Sequence, residues 1–576
     1  MSNFGKWVRD WPNQKTYFKW LCEYTKPYLP KIILIMGMDI VGTLFGLGMA
    51  ITSKSIIDKA TGGNGVIGLL IAYAVMILAV IVFDMGSQLL SLVLDEKFSF
   101  GIRKQVYEQI VRAYWMDIKK YHTGDLMTRL TSDAGNIADG IIYTIPTIVK
   151  LGVQFLAAFI TMLYYQPILA LVALCLGPVA ALVSIFLGRK LKYLSLRVQE
   201  SESVYRSFIQ ESMANLLVVK SFANEDYATN RLVELRDERF NWVYKKSRMS
   251  IFSGSVMSLS FQLAYIVAFT FGAISLSRNT ITYGTMSLFL VLINRIQAPI
   301  IGLAQQIPKI VQIFASAERV MDLENIPLEK REAVDKPEGS IGVHVDNLTF
   351  GYDSKENVLE DVSLDIKPGE FVAIIGESGI GKTTLIRLIM SFMSRYSGNI
   401  SFQGEDGKPV PAGAGMRDFM SYVPQGNTLF SGTIRENIRM GKLDATEEEM
   451  IEALKMSAAY DFVMELPNGI DTVIGERGHG ISEGQAQRIA IARCLVRKAP
   501  FIIFDEATSS LDSETEIAVL KGLESISPKP TCIIITHRLS VLPYCDRQIK
   551  IENKKIDKRE ISYGFNEQEN QNRKEA

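Results

Sequence analysis

Six stretches of roughly 20 or more mostly apolar residues, at about 32–52, 67–90, 141–164, 167–188, 251–276 and 284–305, constrain this chain more than any other feature of it. A segment of that length crosses a bilayer as a helix, because in hydrocarbon the backbone N–H and C=O groups can bond only to one another. Spans three and four are joined by Tyr165-Gln166-Pro167, and spans five and six by Ser277-Arg278-Asn279-Thr280, so both pairs turn back at once on the same side. On the opposite side lie two long insertions, 91–140 and 189–250, expected to continue as helices well beyond the bilayer. They carry Lys97, Arg103, Lys104, Arg112 and Arg129, then Arg189, Lys190, Arg206, Lys245 and Arg248. The Lys/Arg bias places these loops and both termini in the cytoplasm.

The start of the chain does not read as a cleavable leader: no apolar core follows the first basic residues, and Asp10 interrupts them. Tyr17, Trp20, Leu21 and Tyr24 instead recur at helical spacing beside Lys15 and Lys19, as expected of a helix lying at the membrane interface or packed on the rest of the protein. Within the spans sit Asp39, Asp84, Lys150 and Arg295. A charge at mid-bilayer costs at least about 2.5 kcal/mol, so such residues either line a pathway or pair between helices. Their charges cancel, so they select neither a cation nor an anion.

Hydrophobic residues make up 48% of the chain and charged residues 22%, which excludes a disordered or fibrous protein. Lys+Arg and Asp+Glu number 62 each, so no overall field draws a polyanion, and no nucleic-acid partner is expected. The 5 cysteines fall at irregular spacings that match neither a disulfide framework nor a metal site, consistent with a reducing compartment.

After residue 325 the pattern changes. Residues 326–339, with two prolines, a glycine and many charges, read as a linker. Ile341, Val343 and Val345 alternate like a strand, and the apolar run Phe371–Ile375 leads straight into Gly376-Glu377-Ser378-Gly379-Ile380-Gly381-Lys382-Thr383-Thr384 before a helical segment. This is a phosphate-binding loop in its strand–turn–helix setting. Its glycines let backbone N–H groups close on phosphates at a helix N-terminus, Lys382 brings a positive charge, and the Thr383 hydroxyl can ligate Mg2+. A second strand, Phe501–Phe504, ends in Asp505-Glu506, where an aspartate suits a water-mediated Mg2+ contact and a glutamate can polarise an attacking water. A third, Cys532–Ile535, delivers Thr536 and His537 at its carboxyl end. Ser482 with Gln485 has the capping-box form and opens a helix whose first N–H groups point outward.

These motifs, in this order, resemble those of ATP-binding cassette (ABC) proteins. Gly376–Thr383 matches the Walker A loop, Gln425 in Tyr422-Val423-Pro424-Gln425 the Q-loop, and Ile481–Gln485 the signature, with Ser482, Gly484 and Gln485 as nucleotide contacts. Phe501–Glu506 matches Walker B, Ser509-Ser510-Leu511-Asp512 the D-loop, His537 the switch histidine, and Tyr352 the aromatic that stacks on adenine. Gly475-Glu476-Arg477-Gly478, His122–Asp133 and Val219–Ala223 resemble segments of ABC exporters that link the membrane and nucleotide domains. Two departures stand out: Ile481 and Glu483 replace Leu and Gly of the usual signature, and the usual glycine-containing ending after Cys545-Asp546-Arg547 is missing.

The resemblance implies a membrane all-α domain of six helices followed by an α/β P-loop ATPase. The expected divisions are an N-terminal helix in 1–30, the membrane domain at 31–325, the linker at 326–339, the nucleotide-binding domain at 340–558 and a disordered tail at 559–576. It further implies ATP and Mg2+ as cofactors. Glu506 is the expected general base, with His537 and Gln425 ordering the γ-phosphate and water, and Thr383, Gln425 and Asp505 are the expected metal residues. The implied protein is a homodimer in the plasma or inner membrane, with both termini and the ATPase cytoplasmic, exporting an amphiphilic drug, lipid or peptide by alternating access. The alternatives are an importer of a siderophore-like solute on the same scaffold and one half of a heterodimer.

Overall fold

The computed structural model describes residues 11–335, 337–352, 356–393, 396–426, 428–475, 480–556 and 561–562; side chains 11–15, 169, 171–187, 189, 257, 260, 261, 264 and 561–562 lie outside the description. The expected tail and Glu476–Gly478 therefore fall outside it almost entirely, as do the side chains of Cys175 and Arg189. Packing divides the chain into two compact units. One holds the chain up to Glu108 together with Thr123–Asn325; the other holds Gln109–His122 and the chain from Ile326 onward.

The first unit is helical: α1 (Trp11–Thr25), α2 (Leu29–Thr61), α3 (Ile67–Arg112), α4 (Ile145–Tyr165), α5 (Pro167–Ala214), α6 (Glu225–Ser277) and α7 (Tyr283–Glu324). Each expected span lies on one of α2–α7, the third beginning in a π-helical stretch, Gly140–Thr144, that runs into α4. Four continuous helical runs, Thr16–Thr61, Ile67–Arg112, Thr123–Tyr165 and Tyr283–Glu324, are long and apolar enough to cross a membrane on their described residues alone. The α4–α5 turn is made by the extended Gln166, and α7 opens with the Thr282 side chain accepting from the Thr285 N–H.

Three of the four intramembrane charges meet. Lys150 on α4 lies 3.2 Å from Asp84 on α3 and 3.5 Å from Asp39 on α2, and the Ser87 hydroxyl donates to Asp39 at 2.9 Å. Arg295 on α7 lies instead against Gly46, where an added Cβ would stand 3.2–3.3 Å from the guanidinium nitrogens. Towards the cytosolic end, Asp133 is buried and accepts from Ser316 Oγ at 2.8 Å and from Arg319 Nε at 2.8 Å, so the stretch after His122 is clamped to α7. Trp20 Nε1 donates to Glu324 at 2.7 Å and the Tyr24 hydroxyl donates to the other carboxylate oxygen, so the aromatic face of α1 meets protein.

The second unit is built on a seven-stranded sheet of β3 (Phe371–Ile375), β6 (Met420–Val423), β9 (Phe501–Asp505), β10 (Thr531–Ile535), β11 (Arg547–Glu552), β12 (Lys555–Ile556) and β13 (Ile561–Ser562). Their order is β12-β11-β3-β10-β9-β6, with β13 beside β11. Strands β11, β3, β10, β9 and β6 are parallel neighbours. Both faces are covered, as a parallel sheet requires. Val372, Ile374, Phe501, Ile503, Ile533 and Ile535 pack towards the phosphate-loop helix and a four-stranded antiparallel sheet of β1 (Gly342–Phe350), β2 (Leu359–Ile366), β4 (Ser397–Gln403) and β5 (Pro409–Pro411). Phe371, Ala373, Ile502, Phe504, Cys532 and Ile534 face the helices that include the one after the signature. A two-stranded pair, β7 (Gly432–Thr433) and β8 (Val473–Ile474), lies apart.

The expected boundaries group residues 109–122 with the membrane domain, yet they pack in the nucleotide unit. Ala113 forms a β-bridge with Leu328, the Glu329 N–H donates to Arg112 O at 2.8 Å, and the Trp115 ring lies 6.4 Å from that of Phe392.

Candidate functional site

Parallel strands that share a direction deliver their ends to one edge of the sheet, and here that edge gathers the chemistry. The phosphate loop follows β3, Gln425 follows β6, Asp505 closes β9, Glu506 comes next, and His537 follows β10. Gly376 has φ +155°, and a Cβ there would stand 2.7 Å from Ile551 O, so only glycine lets the loop leave the strand this closely past β11. Gly381 caps the helix Lys382–Ile389 at φ +112°.

The Lys382 ammonium donates to Gly376 O at 2.7 Å and Glu377 O at 2.9 Å, folded back over its own loop. Burial pulls it below its ordinary pKa, against the opposing pull of Glu506 and Asp505. Thr383 Oγ1 donates to Asp505 Oδ1 at 3.1 Å, and the Tyr422 hydroxyl donates to Asp505 Oδ2 at 3.1 Å. Burial holds the Asp505 carboxyl above the usual range; those two hydrogen bonds oppose it and neighbouring Glu506 adds to it. A buried carboxylate and a hydroxyl converging in this way are hard oxygen donors of the kind Mg2+ takes.

Glu506 has φ +52°, a left-handed conformation that a residue with a side chain adopts at a cost of about 1–3 kcal/mol and that clusters at functional sites. It is held there by its own N–H, which donates to Ile535 O at 3.0 Å, and by Gln425 Nε2, which donates to Glu506 Oε2 at 2.6 Å. His537 Nε2 lies between Glu506 Oε1, 3.1 Å away, and Lys382 Nζ, 3.2 Å away, and serves one or the other according to where the ring carries its proton. Among the described hydrogen bonds Gln425 thus engages Glu506 and neither Thr383 nor Asp505.

Tyr352 stands over the loop. Its ring meets Phe350 edge-on at 5.2 Å and its hydroxyl lies 3.0 Å from Thr384 Oγ1. With Val358, Asn357, Gly379, Ile380 and Lys554 it lines a groove of about 450 Å3, room for a base beside the phosphates. Ser378 and Gly379 complete the turn between β3 and the helix.

The signature residues stand apart. Ser482 caps the helix Glu483–Leu495, its Oγ accepting from the Gln485 N–H while Gln485 Oε1 accepts from the Ser482 N–H. A Cβ on Gly484 would stand 2.9 Å from Ser510 O, so the helix start is fitted to the D-loop. Gln487 reinforces that fit, donating to Ser509 Oγ at 3.2 Å and accepting from the Ser510 N–H at 3.1 Å. Asp512 caps the next helix, accepting from Thr515 N at 2.9 Å. Tyr422, Gln487 and Lys554 are site neighbours that no sequence motif singled out as contacts. For Tyr422 the signal was its place three residues before Gln425.

Comparison with known proteins agrees with this geometry. The family description "ABC transporter transmembrane region" matches residues 32–300, and "ABC transporter" matches 359–509. An ATP-dependent lipid A-core flippase of Desulfotalea psychrophila is 30% identical over 552 residues, covering 94% of this chain and 96% of its own. The chain belongs to the ABC transporter family. A putative multidrug export ATP-binding/permease protein of Staphylococcus aureus is 31% identical over 548 residues, covering 92% of this chain and 94% of its own. A bacterial Atm1-family ABC exporter solved with ATP bound shares the fold, at TM-score 0.77 and 22% identity over 96% of this chain and 97% of that one. This ABC transporter is a multi-pass membrane protein whose nucleotide-binding domain, an ATPase, faces the cytoplasm.

Proposed function

We propose that this ABC transporter is an ATP-driven exporter that moves an amphiphilic solute out of the cytoplasm or inner leaflet by alternating access, working as a homodimer. What supports the reading is one convergence: Lys382, Asp505, Glu506, His537 and Gln425 at a single sheet edge, in a chain that also carries six long helices. The names of the relatives, a lipid flippase and a multidrug exporter, support an amphiphile as cargo.

The Gly376–Thr384 loop binds the phosphates through backbone N–H groups, and Lys382 swings from its loop carbonyls to the phosphate oxygens. Tyr352 stacks on the adenine. Mg2+, when bound, draws charge off the phosphates; Thr383 and Asp505 would hold it. Glu506 takes the proton of the attacking water while Gln425 and His537 orient the carboxylate. Ser482, Gly484 and Gln485 lie apart from this cluster, which suits a head-to-tail pair in which each copy's signature meets the ATP on the other. Glu506 and His537 are both present in one chain, so an unlike partner is not needed.

The test is Glu506→Gln in protein reconstituted with its ATPase domains outward. Hydrolysis should fall about 10²–10⁴-fold while ATP still binds, and ATP-driven accumulation of a lipid or drug inside the vesicle should stop. Hydrolysis within a few-fold of wild type, or accumulation on the ATP side in the wild type, would refute the reading.

A further inference from the structure

The four intramembrane charges sum to zero but do not cancel in place. Lys150 is one ammonium between two carboxylates, 3.2 Å from Asp84 and 3.5 Å from Asp39, so this cluster keeps one negative charge in surplus. Asp39 also accepts from the Ser87 hydroxyl, and its side chain is 13% exposed. Asp84 has Lys150 alone among its described partners, and its side chain is 41% exposed. The surplus is therefore presented at Asp84. Arg295, half-buried at the middle of span six, has no ion pair or hydrogen bond among the described residues. Spans four and five contain no Asp or Glu that could serve it. Charges within a bilayer either pair with one another or face a cavity in which a solute completes them.

One face of α2 brings the surplus acid and the unpaired arginine near each other. A Cβ on Gly42 would stand 3.8 Å from Asp84 Oδ1, and one on Gly46 3.2–3.3 Å from the Arg295 guanidinium nitrogens. Positions four apart are neighbours on a helix surface, about 5–6 Å between Cβ atoms. Asp84 and Arg295 thus flank successive turns of a notch that has no side chain at either glycine, without forming an ion pair with each other. Their depths differ. Asp84 lies 6 residues before the cytoplasmic end of span two and Arg295 10 before that of span six, about 9 and 15 Å along a helix. From the cytoplasm inward the acid comes first, then the arginine, then hydrocarbon. An inner-leaflet phospholipid with a zwitterionic head has the same order: ammonium outermost, phosphate next, acyl chains beyond. A head with only a negative charge would leave Asp84 unmatched, and one with only a positive charge would leave Arg295 unmatched.

We propose that Asp84 and Arg295 bind the head of a zwitterionic phospholipid, the carboxylate taking its ammonium and the guanidinium its phosphate, with Gly42 and Gly46 making room. The inference deepens the reading of the cargo as an amphiphile and rests on it. Purified full-length protein in dodecyl maltoside, without ATP, would be titrated with three dioleoyl lipids: phosphatidylethanolamine, anionic phosphatidylglycerol and cationic trimethylammonium propane. Native mass spectrometry counts the lipid bound. Phosphatidylethanolamine should bind at least about 10-fold tighter than either singly charged lipid. Arg295→Gln should weaken it at least about 10-fold and turn the preference to the cationic lipid. Asp84→Asn, which leaves Lys150 to Asp39, should turn the preference to phosphatidylglycerol. Opposite shifts of preference do not arise from loss of folding. Equal binding of the three lipids, or variants that weaken all three alike, would overturn the proposal. So would displacement of the lipid by glycerophosphoethanolamine in excess, which would make the ligand a free zwitterion without chains. Because no ATP is present, these outcomes are separable from failure of the hydrolysis and export tests, and Glu506→Gln should bind the lipid as the wild type does.

Discussion

Arg319→Ala should destabilise the membrane unit more than Asp133→Ala, although Arg319 is the more exposed partner. The Asp133 side chain is 1% exposed and that of Arg319 42%. Remove the arginine, and a buried carboxylate keeps only the Ser316 hydroxyl as a donor of those described. Stranding a buried charge costs about 3–5 kcal/mol. Remove the aspartate, and the guanidinium turns to water it already touches. The loss is then two charge-assisted hydrogen bonds and the acceptor of Ser316, whose hydroxyl can still accept from Asn136 Nδ2 at 3.3 Å. Solvent screening of the exposed arginine brings that to about 2–3 kcal/mol. The expected gap is about 1–2 kcal/mol, with Asp133→Asn, which keeps the shape and one acceptor, mildest of the three. Denaturation of the purified protein in mixed micelles, followed by circular dichroism, measures the order. If Asp133→Ala proves as costly as Arg319→Ala, burial of the charge is not what holds this joint, and the reasoning fails.

Gly484→Ala should press a methyl group against Ser510 O, costing about 1–3 kcal/mol at the signature and lowering ATP hydrolysis about 10-fold with ATP binding intact; photolabelling and a phosphate-release assay read both, and full turnover would contradict it. Glu483→Gly should raise kcat about 2–5-fold if the Glu483 carboxylate repels a nearby phosphate, an effect of roughly 1 kcal/mol; an unchanged kcat would mean that its side chain points away. Because burial holds Asp505 above the usual carboxyl range, the unfolded chain releases this proton first as pH rises, and nucleotide-free protein loses stability from about pH 4 up to the raised native value. Asp505→Asn should therefore unfold at higher temperature than wild type, most clearly at neutral pH and hardly at pH 4; scanning fluorimetry across that range checks it, and a gain that ignores pH would refute it.

Much of the architecture was legible because it depends on local pattern. Apolar runs of membrane length became α2–α7, and a glycine-rich turn between a strand and a helix became the phosphate loop. Spacing along the chain could not show which distant groups meet. Lys150 was visible as a charge in hydrocarbon, but nothing in the sequence pairs it with Asp39 and Asp84 on two other helices. The chain also hid the strain at Glu506, since a left-handed glutamate looks like any other in a sequence. Tyr422 bonding to Asp505 was hidden for the same reason, since the two strands become neighbours only in the sheet. The four-stranded antiparallel sheet was legible only at β1; β4 is rich in polar residues, β5 is only Pro409-Val410-Pro411, and a register-shifted ladder joins β1 to its neighbours.

The excursion Gln109–His122 has a practical bearing on anyone who would express the ATPase by itself. A fragment beginning at Ile326 would leave behind the strip that bridges Leu328 and sets Trp115 on Phe392, baring greasy surface on the severed piece. Such a fragment should clump and unfold early, and adding back a peptide of residues 109–122 should rescue it.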